Sequence, residues 1–452
     1  RGDELRFHPD FMRVRYHNWV GGLNSDWLIS RQRFFGVPIP VWYPLDADGE
    51  PRFDEPILPA EDTLPVDPSS EPAPGYAPDQ RGVPGGFIGD PDVMDTWATS
   101  SLTPQVAGGW LADPDLFKRV FPMDLRPQGQ DIIRTWLFST VVRSHLEHDS
   151  LPWAHAAISG WILDPDRKKM SKSKGNVVTP MGLLTEHGSD AVRYWAASAR
   201  LGTDAAFEVG QMKIGRRLAI KILNASKFAL SFSGQAPVSL DGAAVTEPLD
   251  RAMLSALADV VEAATAAFEG YDHTRALEVT ETFFWAFCDD YLELVKDRAY
   301  GAALSEEPEP AAAAATNSAR TALAIAVDVF LRLFAPFVPF TTEEVWSWWR
   351  TGSVHEATWP SAASLRASSH EAEPDLVRLA GDALAALRKV KSQAKVSQRT
   401  ELVHATLSVP ALTAPRLEAA FGDLQAAGRV RELVLVPAEV DGAQVAEAEL
   451  AG

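Results

Sequence analysis

The sequence predicts an α/β domain, then an α-helical bundle, then a small C-terminal α/β module. Three observations support this fold class. Short strand-like runs mix with helices and loops over residues 1–205, as in an α/β domain. Long helical periodicities replace them over residues 210–360. Strand-like runs return on both sides of a helix within residues 371–452.

Composition and length fit a globular protein. The chain has 452 residues, with 46% hydrophobic and 23% charged residues, as expected of domains with apolar cores. No apolar run is long enough to span a membrane and no signal peptide is present, so we expect a cytoplasmic protein without a membrane partner. We also expect a monomer. The first residue is Arg1 rather than methionine, which suggests a piece of a longer chain.

Cys288 is the single cysteine, so internal disulfides and cysteine-based zinc sites are excluded within the chain. A lone cysteine also fits a reducing cytosol. We expect Cys288 to be a buried small hydrophobic residue and not a nucleophile.

Within the first domain, residues 44–91 are rich in Pro, Asp, Glu and Gly. Such a stretch has little to bury, so we predict an irregular insertion. Residues 157–163 are apolar and predict a buried strand. Thr179 and Pro180 then predict a helix start, with Thr179 as N-cap and proline at the first helical position.

The bundle shows helical spacing of apolar residues, as at Leu218 and Ile222, and helix starts near Pro248 and Asp272. Glu306–Thr316 is a low-complexity Glu/Pro/Ala run and predicts a linker. A helix over 319–334 and a Trp-rich helix capped by residues 341–344 follow. In the module we predict helices over 375–395 and 415–427, and strands over 402–409 and 430–436.

A basic loop stands out in this acidic chain. The net charge of −19 argues against a nucleic-acid binder, but residues 167–174 carry five cations among eight residues. The loop lies between a predicted strand end and a predicted helix start, where anions bind well. Its lysines suit neutralisation of charge that develops on phosphates as pyrophosphate leaves. The alternatives are a solvated basic turn or a short nucleic-acid patch.

The five residues Lys169-Met170-Ser171-Lys172-Ser173 match the second signature of class I aminoacyl-tRNA synthetases. This resemblance implies that residues 1–205 are the C-terminal half of a class I Rossmann-like catalytic domain and that 210–360 form an anticodon-binding bundle. It implies ATP with Mg²⁺ as substrate. Lys169 and Lys172 would contact the phosphates as catalytic residues, and all five residues would bind ATP.

Further segments resemble the valyl members of this family, notably Asp92–Trp97 and Gly129–Trp136, whereas Leu64–Pro68 is similar to the archaeal-type branch. The resemblance implies ATP-dependent activation of L-valine to valyl-adenylate and transfer to tRNA(Val). Gly36–Pro40 suggests the alternative of an isoleucine–tRNA ligase. The alternative from another class is a non-catalytic tRNA-binding paralogue.

The resemblance also implies an amino-acid pocket. Ile132 and Trp136 are four residues apart and would share one face of a helix. By resemblance, that face and Trp97 form one wall of a small apolar pocket. Because the chain has 14 tryptophans, core packing is the strong alternative for each of them.

The same resemblance assigns Gly129 and Asp131 to ATP. Gly129 would allow close backbone approach, and Asp131 would accept hydrogen bonds from a ribose hydroxyl. The alternative is that Asp131 lies in the first turn of a helix, which is also favourable. No role is assigned to Gln130, where many archaeal-type members have histidine.

The first class I signature, His-x-Gly-His, does not occur in the sequence. His145 and His148 lie three residues apart, which favours a surface helix end over a metal site. By resemblance, the first signature, the editing domain and the first half of the fold would lie outside this chain, which we expect to be inactive alone. No zinc is predicted, because the cysteine pairs of archaeal-type relatives near 44–91 have no counterpart.

A second group of cations lies near the C-terminus. Arg388, Lys391, Lys395 and Arg399 are spaced three, four and four residues apart, which on a helix forms one basic stripe. We predict that this stripe contacts tRNA phosphates. A solvated helix face is the equally weighted alternative.

Overall fold

The computed structural model describes residues 1–170, 175–232, 239–301, 309–373 and 375–451. The chain forms two compact units. One comprises residues 1–162 and 201–205, and the other comprises 163–200 and 206–452. The three-part division proposed from the sequence stays a prediction.

The first unit is built around a parallel sheet. Its strands are β1 (Arg6–His8), β2 (Ser30–Arg31), β3 (Trp42–Pro44), β4 (Phe87–Gly89), β5 (Val93–Met94), β6 (Met123–Gly129) and β7 (Trp153–Ser159). Its helices are α1 (Arg13–Gly21), α2 (Thr96–Ser100), α3 (Thr103–Ala107), α4 (Pro114–Val120) and α5 (Phe138–His148). The sheet has the order β1-β7-β6, with both pairs parallel.

Chain order explains the parallel sheet, since α5 returns the chain from the end of β6 to the start of β7. One face of this βαβ unit is apolar and buried, with Phe7, Ile133, Leu137, Trp153 and Ile158 in a single cluster. The strand predicted over 157–163 is displaced. β7 covers 153–159, and two-residue strands follow at β8 (Ile162–Leu163) and, further along the chain, β9 (Ala205–Ala206).

The segment between β3 and β4 is irregular, with short 3-10 turns at Glu61–Thr63 and Pro78–Gln80. It nevertheless buries more than the sequence suggests. Trp42 and Phe87 lie on the paired strands β3 and β4 and pack with Ala73 into a separate small core. The expectation that residues 44–91 have little to bury is therefore wrong, because Ala73 and Phe87 within the stretch are buried against Trp42, which lies just before it.

The second unit is mainly helical. Its helices are α6 (Pro180–His187), α7 (Ser189–Ala197), α8 (Val209–Leu230), α9 (Pro248–Glu269), α10 (His273–Ala286), α11 (Leu292–Gly301), α12 (Pro310–Phe334), α13 (Pro339–Ser347), α14 (Ala362–Ser368), α15 (Leu376–Gln393), α16 (Ala414–Leu417) and α17 (Phe421–Gly428). Its C-terminal strands are β10 (Leu402–Pro410), β11 (Val430–Ala438) and β12 (Gln444–Leu450). β10 pairs in parallel with β11 and antiparallel with β12.

Several predicted elements of this unit are confirmed. α9 begins at Pro248, and α10 begins after Asp272, whose carboxylate accepts a hydrogen bond from the backbone N–H of Arg275 at 3.0 Å. Leu218 and Ile222 are buried on one face of α8. Cys288 is buried, and burial raises the pKa of its thiol to about 12, which suits the expected hydrophobic role.

Other predictions for this unit are wrong. α12 starts at Pro310, so most of the Ala-rich run predicted as a linker is helix, and residues 306–308 lie outside the described residues. α13 starts at Pro339, which puts Thr341 inside the helix and not at its cap. The carboxylate of Asp190 accepts the backbone N–H and the hydroxyl hydrogen of Thr341 at 2.7 and 2.6 Å, so a residue distant in sequence caps this helix.

Candidate functional site

The basic loop follows β8, whose second residue, Leu163, is the first residue of the second unit, and it opens with a tight turn. Leu163 and Lys169 form an antiparallel bridge, and the backbone N–H of Asp164 donates to the Lys168 carbonyl at 2.8 Å. Arg167 has a positive φ of 61° within this turn. Lys169 and Met170 therefore emerge from a closed hairpin. Ser171, Lys172 and Ser173 lie outside the described residues.

Asp164 and Asn176 hold the two sides of the loop together, and neither was singled out from the sequence. Asp164 is buried and accepts hydrogen bonds from the backbone N–H of Lys168 and from the Asn176 side-chain amide, both at 2.7 Å. These donors lower the pKa of Asp164, the Lys168 N–H most strongly. Asn176 also donates to the Lys169 carbonyl at 3.3 Å. The Asp-Pro-Asp-Arg run at 164–167 is a turn signal that could have indicated Asp164 from the sequence.

After the loop, α6 begins at Pro180, and Thr179 is its N-cap in an extended conformation. The predicted helix start is confirmed. The cap residue makes no side-chain hydrogen bond, so proline at the first helical position is the main local signal.

Gly129 and Asp131 lie in the first unit, at the end of β6. A Cβ on Gly129 would lie 2.7 Å from Oδ1 of Asp131, so any larger residue here would displace that carboxylate. Asp131 sits in the first turn of a 3-10 helix over Gln130–Ile132 and is exposed. Its place in a first turn matches one interpretation, and its exposure leaves the ribose role open as a prediction.

Gln130, which received no role from the sequence, is buried between these two residues. Its side-chain amide donates to Oδ1 of Asp204 at 3.1 Å, and the backbone N–H of Trp161 donates to the same oxygen at 2.8 Å. Gln130 therefore fixes the turn that carries Asp131 to the segment that follows β7. Nothing in a local pattern could identify Asp204, because it is 74 residues away.

The premise that placed Ile132 and Trp136 on one α-helical face is wrong. Ile132 ends the 3-10 turn, and Ile133–Leu137 is a π-helical turn that leads into α5. A π turn is wider than an α turn, so residues four apart are not stacked as on an α-helix. Both side chains are nevertheless only partly buried, and so is Trp97.

Trp97 and Trp136 still lie on neighbouring elements. The indole N–H of Trp136 donates to the carbonyl of Ser100 at 2.8 Å, at the end of α2. Trp97 lies at the other end of α2, where Asp95 accepts its backbone N–H at 2.7 Å. Trp97 and Trp136 thus belong to two elements that pack together, α2 and the π turn, and their shared role in a pocket wall stays a prediction.

Arg126 is a further residue of this region that the sequence did not indicate. It lies on β6 with its guanidinium over the Trp136 ring. Burial lowers its pKa to about 10, and within the described residues its Nε has no hydrogen-bond partner. A cation stacked on an indole fixes the ring plane, so Arg126 orients Trp136.

The predicted basic stripe is corrected by the structure. Lys391 is only 2% exposed and its ammonium donates to the carbonyls of Gly428 and Gln398, so it cannot lie on a basic surface. α15 ends at Gln393, so the remaining cations do not share one helical face. Arg388 is half-buried and pairs with Glu293, whereas Lys395 and Arg399 are exposed.

His145 and His148 occupy the C-terminal end of α5, as expected. His145 is exposed and accepts a hydrogen bond from Arg1, while the His148 ring packs among Trp110, Phe117 and Phe121. Among the residues that the structure describes, no three His, Cys, Asp or Glu side chains gather in a group that could hold a metal ion. None of the described helices is long and apolar enough to cross a membrane.

Two family profiles match the chain. Residues 2–208 match the class I tRNA synthetases for I, L, M and V, and residues 250–407 match the anticodon-binding domain of tRNA ligases. The chain is also similar to solved structures. These include Agrobacterium radiobacter K84 agnB2 LeuRS (TM-score 0.57, 21% identity, 75% of this chain and 44% of that one) and Mycobacterium tuberculosis methionyl-tRNA synthetase (TM-score 0.52, 21% identity, 75% and 57%). At this identity the likeness shows the fold.

Sequence relatives are much closer. The chain is 65% identical to the valine–tRNA ligase of Thermobifida fusca over 434 residues, and 61% identical to that of Leifsonia xyli over 435. Each alignment covers 96% of this chain, and the chain spans about half the length of these relatives, 48% and 49%. These relatives are bacterial, so the expected archaeal-type branch is wrong. Residues 2–208 therefore belong to the class I tRNA synthetases for I, L, M and V, and across 96% of its length the chain is similar to about half of a valine–tRNA ligase.

Proposed function

We propose that the chain is the phosphate-loop and tRNA-binding part of a valine–tRNA ligase. This enzyme would use ATP to convert L-valine to valyl-adenylate and pass the valyl group to tRNA(Val). The observation that carries the proposal is 65% identity to a valine–tRNA ligase across 96% of the chain. The match of residues 250–407 to an anticodon-binding domain supports the tRNA partner.

The loop would act on the phosphates. As the valine carboxylate attacks the α-phosphorus, negative charge builds on the departing pyrophosphate. Lys169 and Lys172 would neutralise that charge more strongly in the transition state than in bound ATP, which enters as its Mg²⁺ complex. The hydrogen bonds of the Asn176 side chain to Asp164 and to the Lys169 carbonyl support this role, because they fix the base of the loop.

The first unit would supply the nucleoside and amino-acid contacts. We propose that Asp131 accepts a hydrogen bond from a ribose hydroxyl. The absence of a Cβ at Gly129 leaves room for the Asp131 carboxylate in this position. Trp97, Ile132 and Trp136 would bound the valine side chain. An apolar pocket of fixed shape rejects larger side chains by clash, but it discriminates weakly against isosteres.

A chimaera tests the activity. This chain would replace the matching 48% of the Thermobifida fusca enzyme, where the two are 65% identical. We expect valine-dependent exchange of pyrophosphate into ATP, and a loss of about 10²-fold or more in the Lys172→Ala variant. A chimaera that binds tRNA(Val) but gives no exchange would favour the non-catalytic paralogue, and isoleucine-dependent exchange would favour the isoleucyl alternative.

The 452 residues alone provide the matched negative case. They contain no His-x-Gly-His, so we expect no exchange from the isolated chain, although it should bind tRNA(Val). Asn176→Ala in the chimaera should lower the exchange rate less than Lys172→Ala, because it loosens the loop without removing a cation.

A further inference from the structure

Lys391 joins two parts of the chain that are far apart in sequence. Its ammonium donates to the carbonyl of Gly428 at 2.8 Å and to that of Gln398 at 3.3 Å. Gly428 is the last residue of α17, and Gln398 lies in the loop between α15 and β10. A buried charge is tolerated only when it is paired or well hydrogen-bonded, so this ammonium holds both carbonyls firmly.

Other hydrogen bonds fold the same loop against the end of α15. The Gln398 side-chain amide donates to the Arg388 carbonyl at 3.2 Å and to the Ser392 hydroxyl at 2.9 Å. The backbone N–H of Val396 donates to the Lys391 carbonyl at 3.1 Å. Residues 394–399 are therefore an ordered loop and not a loose connection.

Three cations project from this arrangement, and we call them the cationic surface: Lys395, Arg399 and Arg429. All three are exposed. The Arg429 guanidinium donates to the Arg399 carbonyl at 3.5 Å, so Arg429 at the end of α17 lies next to the loop that carries Arg399. In the described part of the chain none of the three has a carboxylate in salt-bridge range, whereas their neighbours Arg388 and Arg431 pair with Glu293 and Glu401.

Two of these cations occupy backbone positions that favour glycine. Lys395 has a φ of 56° just after α15, and Arg429 has a φ of 48° as the C-cap of α17. Side chains other than Gly, Asn and Asp are unfavourable in this left-handed region. A cation near a helix C-terminus interacts well with the helix dipole, but it could do so one turn earlier without the backbone cost.

We propose that the cationic surface binds the phosphate backbone of tRNA and that Lys391 is its positioning residue. The proposal rests on the proposed function, which supplies tRNA as the partner. In a chain with a net charge of −19, three unneutralised cations on one surface provide local attraction for a polyanion. Phosphate contacts carry no base information, so the surface would serve affinity rather than the choice of tRNA.

The test separates charge from folding. Lys395→Gly with Arg429→Gly removes two cations and relieves two strained backbone positions, so the fold should hold or gain stability. Binding of a tRNA(Val) transcript to the whole 452-residue chain would be followed by fluorescence anisotropy from 50 to 300 mM KCl, roughly the range where counterion release dominates. We expect affinity to fall about tenfold or more at low salt and the log–log salt slope to drop by about one to two.

The control removes two cations that are already paired. Arg378 and Arg416 lie in the same C-terminal region but face Asp382 and Glu373. Arg378→Ala with Arg416→Ala should change the salt slope little. Lys391→Met should weaken tRNA binding although all three surface cations remain, and its urea midpoint shows whether folding is retained.

Two results would overturn the assignment in distinguishable ways. If the double glycine variant keeps wild-type affinity and the wild-type salt slope, the cationic surface does not bind tRNA, and the ligase proposal is unaffected. If the wild-type chain fails to bind tRNA(Val) at any salt concentration, its proposed role as a tRNA-binding part is lost together with the surface. A loss of the same size with a non-cognate tRNA is expected, because the contacts are to phosphates.

Discussion

The two compact units differ in how they bury their apolar residues. In the second unit one continuous cluster runs from Tyr194 to Leu433 and takes in residues of the bundle and of the C-terminal sheet. The first unit has two separate small clusters, around Phe7 and around Trp42, while Phe34 and Phe35 are fully or almost fully exposed. Both units expose some large apolar side chains within the described residues, but the second unit gathers its buried ones in one cluster, whereas the first divides them and leaves two aromatic rings uncovered.

This difference matters for function. The second unit holds the proposed tRNA surface on a well-buried scaffold. The residues proposed to meet ribose and valine lie in the first unit, where a π turn, a 3-10 turn and a buried Gln130 set the geometry. Turns of this kind often occur at functional sites, because they place side chains that regular helices cannot.

The largest expected effect concerns the buried ion pairs that join helices of the second unit. Arg298 on α11 pairs with the fully buried Asp250 on α9 at 2.7 Å and with Asp423 on α17 at 2.8 Å. Arg298→Met would leave both carboxylates without their cation, so we expect a loss of about 3–5 kcal/mol in urea unfolding. Arg275→Met, which breaks an exposed pair with Glu278, should change little. A small loss at Arg298 would show that the helices are held by apolar packing alone.

A second prediction tests the single core of this unit. Phe334 is 0% exposed and packs against Phe284 and Phe330, whereas Phe340 is 65% exposed. Phe334→Ala should destabilise the unit by about 3–5 kcal/mol and raise hydrogen exchange in both the bundle and the C-terminal sheet. Phe340→Ala is the matched control. Exchange changes confined to the bundle would break the picture of one shared core.

The third prediction concerns the small core of the first unit. Phe87→Ala removes a ring that packs against Tyr76 and Trp42, and should cost about 3 kcal/mol locally. Phe53→Ala, in the same segment but 69% exposed, should cost about 0.5 kcal/mol or less. Peptide-resolved hydrogen exchange should show faster exchange between residues 42 and 89. The exchange rates of the second unit should not change. A global change would mean that the small core is not independent.

The smallest expected effect is a pH dependence of the first unit. His8 on β1 and His155 on β7 lie with Nε2 and Nδ1 2.9 Å apart. Burial lowers the pKa of both, and His155 and Arg6 lower that of His8 further. The folded state then binds protons less readily than the unfolded state, so stability is full above about pH 6.5 and declines as the pH falls below it.

His155→Gln should flatten this decline in urea unfolding between about pH 8 and 5, whereas His370→Gln, at an exposed position in the second unit, should not. An unchanged profile in His155→Gln would mean that other groups set the acid sensitivity of the first unit.

Local patterns predicted what local energetics controls. Pro248 and Pro180 start helices because their fixed φ suits a first turn, and Asp272 caps α10 because its carboxylate reaches a nearby N–H. The β10 and β11 strands were expected from apolar runs. The wrong prediction of a linker over 306–316 is also local in origin. Residues 310–316 form a helix because alanine has a high helix propensity, which the low-complexity argument overlooked.

β12 illustrates a different failure. Its sequence, Gln444–Leu450, alternates glutamate with small residues and has no strong strand pattern. It becomes a strand because β10 offers an antiparallel edge for its backbone hydrogen bonds. The prediction that Lys391 lies on the surface was wrong for the same reason, because its partner is distant in sequence. Its spacing favoured a surface stripe, but the carbonyl of Gly428, 37 residues away, draws its ammonium inward.

By itself, the sequence determined the fold class, the family resemblance and the basic loop, because these depend on short-range order: periodicity, turn residues and the wording of a five-residue signature. Only the tertiary structure decided which cations face solvent, which residues fasten the loop and which turn carries Asp131. Those outcomes depend on partners far apart in the chain, such as Gln130 with Asp204 and Lys391 with Gly428. A buried polar group takes whatever partner the fold brings within hydrogen-bond distance, and no local pattern encodes that distance.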